Sequence, residues 1–151
     1  MPNSQAMATS FKVDLLNGIH AFGTTVSRGS TTADSFKAAL YVTTASIGAT
    51  TTAYSATNEV SGTGYTAGGV SVTFGTAPTS SGTTAYVTPS ASIVYSTVTL
   101  TTAFDCVLIY NSSQSNKAVS SHTFGAQTIT AGTLTLTMPT NDSSNALLRL
   151  A

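Results

Sequence analysis

The sequence predicts an all-β protein, an antiparallel β-sandwich with one short N-terminal helix. Three observations lead there. Short runs alternate apolar and polar residues with period two, the mark of half-buried strands. Clusters of Gly, Pro, Asn and Ser separate these runs at close intervals. Long helical patterns do not intervene, so a parallel α/β sheet has no crossovers to build on. A jelly roll is one form such a sandwich takes.

Composition points the same way. The chain has 151 residues, the size of one ordinary domain, and only 7% are charged, against about 25% in an average soluble protein. Five Lys+Arg balance five Asp+Glu. Ser and Thr together make about a third of the chain, and Trp is absent. This suits strands with a hydroxyl-covered surface. Without a basic run, a nucleic-acid partner is not expected. Nor is a membrane partner, since no stretch approaches about 18 consecutive apolar residues. Residues 1–7 lack the charged and apolar regions of a signal peptide. Zero net charge favours association over life as a free monomer.

Residues 1–8 read as a flexible arm, with Met7 an alternative start, and residues 9–151 as one sandwich domain. Phe11 to Phe22 is the helix candidate. Ser10 can cap it, and Phe11, Leu15, Ile19 and Phe22 form one apolar stripe. Gly18 makes a stop at Leu16 or Asn17 a fair alternative. Ser35–Thr43 is the first strand, with Phe36, Ala38, Leu40 and Val42 on one face and Lys37, Ala39 and Tyr41 on the other. Tyr54–Gly69, with four glycines in its second half, reads as a long ordered loop, and loops of this length are usually functional or interfacial.

Further strands are expected over Val70–Phe74, Ala85–Thr88 and Ser92–Leu100. Phe104–Asn111 is nearly continuously apolar, as a central strand buried on both faces would be. After a polar turn at Ser112–Lys117 come strands at Ala118–Phe124, Gln127–Thr130 and Leu134–Met138. Pro139–Asn145 is a turn, and Ala146–Leu150 is the last strand. Gly75–Thr84 reads as a turn-rich connection.

The chemistry on offer is sparse. His20 and His122 have no ligand-like spacing to other residues, and Cys106 is the one cysteine, so neither a metal site nor a disulfide is expected. Cys106 lies in the most apolar strand and reads as a small buried hydrophobe. No Gly-x-Ser-x-Gly elbow is present, and no catalytic set is assigned. Gly62–Gly69 lacks the following helix and the Lys-Ser/Thr pair of a phosphate loop. Asp142, with Asn141 and Asn145, fits an Asx turn better than a calcium site. No cofactor is expected. Tyr54 and Tyr65 are candidate interface anchors, since tyrosine offers a large contact area with a polar tip.

The segments Phe11–Phe22, Phe36–Tyr41 and Thr52–Gly69 resemble a family of small virion structural proteins of tailed bacteriophages. Leu108–Asn111, Ser115–Ala118 and Thr133–Leu150 extend the likeness, which covers nearly all of the chain from about residue 9. Tyr54–Gly69 is its most specific block. Members often carry an aromatic such as Trp around Ser92–Leu100, where this chain has Val94 and Tyr95. That departure bears on core details rather than on class.

The resemblance implies a non-enzymatic particle component. The expected role is a capsid decoration or cement protein on the outer capsid surface of the virion, bound to the major capsid protein and to itself as a dimer or trimer. A neck or tail component is the alternative, and a host-glycan-binding module a more distant one. Phe11, Tyr54, Asn58, Tyr65, Gly68 and Gly69 are the expected interface residues. Glycine there allows unusual backbone angles and close approach to a partner.

Overall fold

In the computed structural model the described residues are 3–8, 10–11, 15, 19–23 and 32–151. They form eight antiparallel strands in two sheets. The strands are β1 (Ala6–Met7), β2 (Phe36–Val42), β3 (Val70–Val72), β4 (Thr79–Ser81), β5 (Thr84–Val87), β6 (Ile93–Asn111), β7 (Lys117–Leu136) and β8 (Leu148–Leu150). The large sheet has the order β1-β7-β6-β2-β3 and the small one β4-β5-β8. The β-sandwich is therefore the architecture. Three sequence-adjacent pairs, β2–β3, β4–β5 and β6–β7, are neighbours in the sheets. Hairpins dominate, and the jelly-roll form does not apply.

The central strands follow from the apolar pattern. β2 runs against β6 from Phe36 opposite Asn111 to Val42 opposite Phe104. Cys106 to Asn111 are all buried, as are Ala38 to Tyr41. Both faces of this part of the sheet are therefore covered. Phe36 packs into a cluster with Phe22 and Phe74, at centroid distances of 4.6 and 5.0 Å. Phe11 joins it edge-on to Phe22 at 5.9 Å. Such tilted and offset contacts suit the ring quadrupoles. Tyr41, on the other face of β2, turns towards the Tyr54–Gly69 loop.

Several expectations need correction. Residues 3–8 are not a free arm. Ala6 and Met7 pair with Ser121 and Ser120 of β7, and Ala8 is buried. The Asn3 amide donates to the Val42 carbonyl at 3.0 Å and to Asp105 Oδ1 at 2.5 Å. The Ser4 amide donates to Ile47 O. A segment with no fold of its own is thus ordered by an edge that needs partners. Of the expected helix, Ser10, Phe11 and Leu15 are helical, and residues 12–14 and 16–18 lie outside the described residues. Ile19 to Phe22, its expected end, have no helical geometry.

Two groups of expected strands merge. Ser92–Leu100 and Phe104–Asn111 are one strand, β6; the three expected strands between Ala118 and Met138 are one strand, β7. The β6–β7 ladder shifts register five times along its length, and Thr97 and Ala131 take φ of +52° and +48°. Each bulge inserts a residue and resets the apolar alternation. The lost period looks like a strand end in sequence but is a bend within one strand. β1 and β4 were not foreseen: one is two residues long, and the other is exposed throughout. Gly82, at φ +58°, makes the tight β4–β5 turn.

Gly69 is a position where a side chain cannot be accommodated. Its φ is +72°, and a Cβ there would overlap the Ala38 carbonyl and the Ala39 Cα. Gly69→Ala is expected to cost about 3 kcal/mol or more in urea unfolding, combining a strained φ with a backbone overlap. Gly125→Ala, with open space around its Cβ position, should stay within about 0.5 kcal/mol.

Candidate functional site

The Tyr54–Gly69 loop lies along the outer edge of β2, beyond the point where β3 stops pairing. Val60 N–H donates to Leu40 O at 3.0 Å, and Val42 N–H donates to Asn58 O at 3.1 Å. The loop thus acts as an irregular extra strand. A bridge between Thr63 and Thr99 ties its far end to β6, and a bridge between Ala53 and Lys117 ties its start to β7.

Glu59, the chain's one glutamate, organises the loop. Tyr54 Oη donates to its Oε2 at 2.7 Å, and Tyr65 Oη donates to its Oε1 at 2.7 Å. Gly68 N–H donates to Oε1 at 2.8 Å. Tyr65 Oη also accepts Leu40 N–H at 3.0 Å, joining the carboxylate to the sheet edge. Tyr110 donates to Gly68 O, Tyr95 to Ala38 O and Tyr41 to Ser55 O, at 2.8, 2.8 and 2.6 Å. Tyr54 stacks on Tyr110 at 4.7 Å and Tyr65 on Tyr95 at 5.9 Å. Five of the six tyrosines therefore belong to one network. Burial pushes the hydroxyls of Tyr41, Tyr65, Tyr95 and Tyr110 above the ordinary phenol value, and the Glu59 charge adds to this. Burial and the Glu59 carboxylate bring Tyr54 up to about 12.

This changes the meaning of the expected interface residues. Tyr54 and Tyr65 are half-buried, and their hydroxyls are spent inside the chain. Phe11 is 2% exposed and belongs to the core. Gly68 is buried beneath the Tyr110 hydroxyl, and Gly69 lies against β2. Of the six residues, Asn58 alone is exposed, at φ +62°. The outward face of the loop is instead Thr57, Asn58, Ser61, Thr63 and Thr66. Sequence reasoning missed Glu59, although a single carboxylate between two tyrosines in an otherwise uncharged loop was the available signal.

A second polar cluster fixes the β6–β7 turn. Buried Asn111 donates to Asp34 Oδ2 at 2.9 Å and lies 3.0 Å from His20 Nδ1. Its Oδ1 accepts the amides of Ser113 and Gln114, both at 3.1 Å. His122 Nε2 is 2.9 Å from Ser120 Oγ, and burial lowers its pKa to about 4. It borders a polar groove of about 560 Å³ that also includes Gln5, Thr84, Asn145 and Arg149. Cys106 is a buried free thiol, pushed up to about 12 by burial. Asp142 accepts the amides of Ser144 and Asn145 at 2.8 Å each, an Asx turn. Among the described residues, no three His, Cys, Asp or Glu side chains group as metal ligands would.

No family model, curated protein or solved structure matches this chain.

Glu59→Gln keeps the shape but can no longer accept at both oxygens from three donors. It is expected to cost about 1–3 kcal/mol in denaturant unfolding, from the unpaired groups it leaves behind. Two pH effects follow from the buried groups. Tyrosines raised in the folded state stabilise fully below pH 10, and this contribution falls as pH rises towards 12 and above. Tyrosinate absorbance should therefore rise incompletely near pH 10 and complete its rise with unfolding. His122, lowered in the folded state, stabilises fully above pH 6.5 and loses this contribution as pH falls towards 4. His122→Gln should flatten the unfolding midpoint across that window.

Proposed function

We propose that this chain is a virion structural protein of a tailed bacteriophage. In this reading it is a non-enzymatic capsid decoration protein that docks on the outer face of the major capsid protein lattice. The likeness of Tyr54–Gly69 to that family supports it. So does one structural observation: the loop's tyrosines and its one carboxylate are spent on holding the loop rigid. What remains outside is a preorganised, uncharged surface of Thr57, Asn58, Ser61, Thr63 and Thr66. A rigid contact surface loses little conformational freedom on binding. Uncharged hydroxyls also cost less to desolvate than ions.

The mechanism is passive. A protein that binds the assembled lattice and not free subunits shifts the balance towards the assembled state by mass action. If the chain docks as an oligomer, several weak contacts per assembly add through effective concentration. The loop then serves as a stiff bearing surface rather than a set of tyrosine anchors.

The test is rebinding of the purified chain to capsids stripped of it, read by co-sedimentation and quantitative mass spectrometry. Saturation at many copies spread over the shell is expected. Thr57→Arg/Thr66→Arg should weaken rebinding by about tenfold or more, about 1.4 kcal/mol, with unfolding unchanged. Saturation at a single tail-attachment ring, or binding only to host glycans, overturns the reading.

A further inference from the structure

We infer that residues 3–8 form a strap over the β7 edge that opens as a unit while the sandwich stays folded, with Asn3 as its catch. The strap is fixed at both ends and thinly held between them. At the near end Ala8 is buried, its N–H donates to Val119 O at 3.0 Å, and Phe11 beyond it lies in the core. Between the ends, β1 adds only the pairs Ala6–Ser121 and Met7–Ser120, at the margin of the sheet. Ser4 and Gln5 are exposed, and Ala6 and Met7 half-buried.

The far end is held by side-chain chemistry. β2 and β6 shift register between Tyr41 and Val42, so Asp105 has no partner on β2. Asn3 fills this bulge. Its amide group donates to Val42 O and to Asp105 Oδ1, and its Oδ1 accepts Ile47 N–H at 3.0 Å. One side chain thus joins β2, β6 and the loop after β2. The site needs two donors and an acceptor, which an amide supplies and a carboxylate does not. Next to it, Ser4 N–H donates to Ile47 O at 2.8 Å, and a side chain at Gly48 would overlap the Ser4 hydroxyl. From β7, Ser121 Oγ donates to Ser4 O at 2.8 Å and accepts Ala6 N–H at 3.3 Å.

A segment at a sheet edge with few buried apolar contacts opens at lower free energy than the core. Of residues 3–8 only Ala8 is buried, whereas Ala38–Tyr41 and Cys106–Asn111 are buried throughout. Closed, the strap satisfies an edge whose backbone groups would otherwise be free to pair elsewhere. Open, it uncovers β7 at Ser120 and Ser121. This inference does not rest on the capsid reading, since it concerns the chain alone.

The test is native-state hydrogen exchange of the full chain, read amide by amide by NMR. The Ser4 and Ala8 amides should exchange together, about tenfold or more faster than the amides of the β2–β6 ladder. The Ser121 amide, opposite Ala6, should follow them. Asn3→Asp keeps the size but sets an acceptor against Val42 O and Asp105. It should speed these three amides by about another tenfold, or 1.4 kcal/mol, and leave the ladder unchanged. Ser121→Ala, which cuts the strap's bonds from the other side, should speed Ser4 and Ala8 in the same way. Gln5→Ala should change none of them. Strap amides that exchange only at the ladder's rate in the wild type overturn the inference. So do variants that speed strap and ladder alike, or an Asn3→Asp that speeds neither.

Discussion

The fold depends on how one carboxylate is held. The Tyr54–Gly69 loop has no regular ladder of its own, yet it lies against the two central strands. Each of its inward donors needs an acceptor, because an unpaired buried donor costs about 1–3 kcal/mol. Glu59 supplies two oxygens to three such donors: the hydroxyls of Tyr54 and Tyr65 and the amide of Gly68. Once those are fixed, the rings settle on Tyr110 and Tyr95 of β6. The loop backbone is then in place to complete the edge of β2. Gly69 makes this possible by letting two backbones meet without a Cβ between them.

From that point the rest of the sandwich follows. With the loop on one face, β2 and the second half of β6 can be apolar on both sides, as a central strand must be. The opposite face takes the phenylalanines of the N-terminal region, β2 and the residues after β3. The two layers differ in chemistry for a physical reason. The phenylalanine side needs only area and shape, whereas the loop side must satisfy backbone groups that no ladder satisfies. Tyrosine supplies a ring for the first need and a hydroxyl for the second.

Much of this was legible in the sequence, and the failures share a cause. β2, β3 and β5 stand out because their alternation is short and unbroken. Phe104–Asn111 stands out because it is apolar without a break. β6 and β7 read as separate pieces because the ladder shifts register between Leu100 and Phe104, between Thr123 and Gln127, and near Ala131, each shift breaking a period-two pattern as a strand end would. β1 was invisible because two residues, Ala6 and Met7, carry no period at all; they are a strand only because β7 offers them an edge. The glycines mark the loop as special, but the sequence pattern alone points its tyrosines outward. Their direction depends on Glu59, and a hydrogen-bond network closed through three-dimensional contact leaves no local spacing to read.

The scarcity of charge takes on a sharper sense in this light. Every acidic side chain among the described residues accepts hydrogen bonds from its own chain. Asp34 holds the amide of Ala21 and the side chains of Asn111 and Gln114. Glu59 holds the loop, Asp105 takes the Asn3 amide, and Asp142 caps its own turn. Carboxylates are stronger acceptors than neutral oxygens, roughly twice as strong per bond. A chain with so few of them gains most by placing each where several donors converge. The surface is then left to Thr, Ser, Ala and Gly, which neither repel a like surface nor demand a counter-ion. Low charge thus has two effects: acceptors go where the backbone lacks a ladder, and the outer faces are left largely to neutral hydroxyl and small apolar side chains.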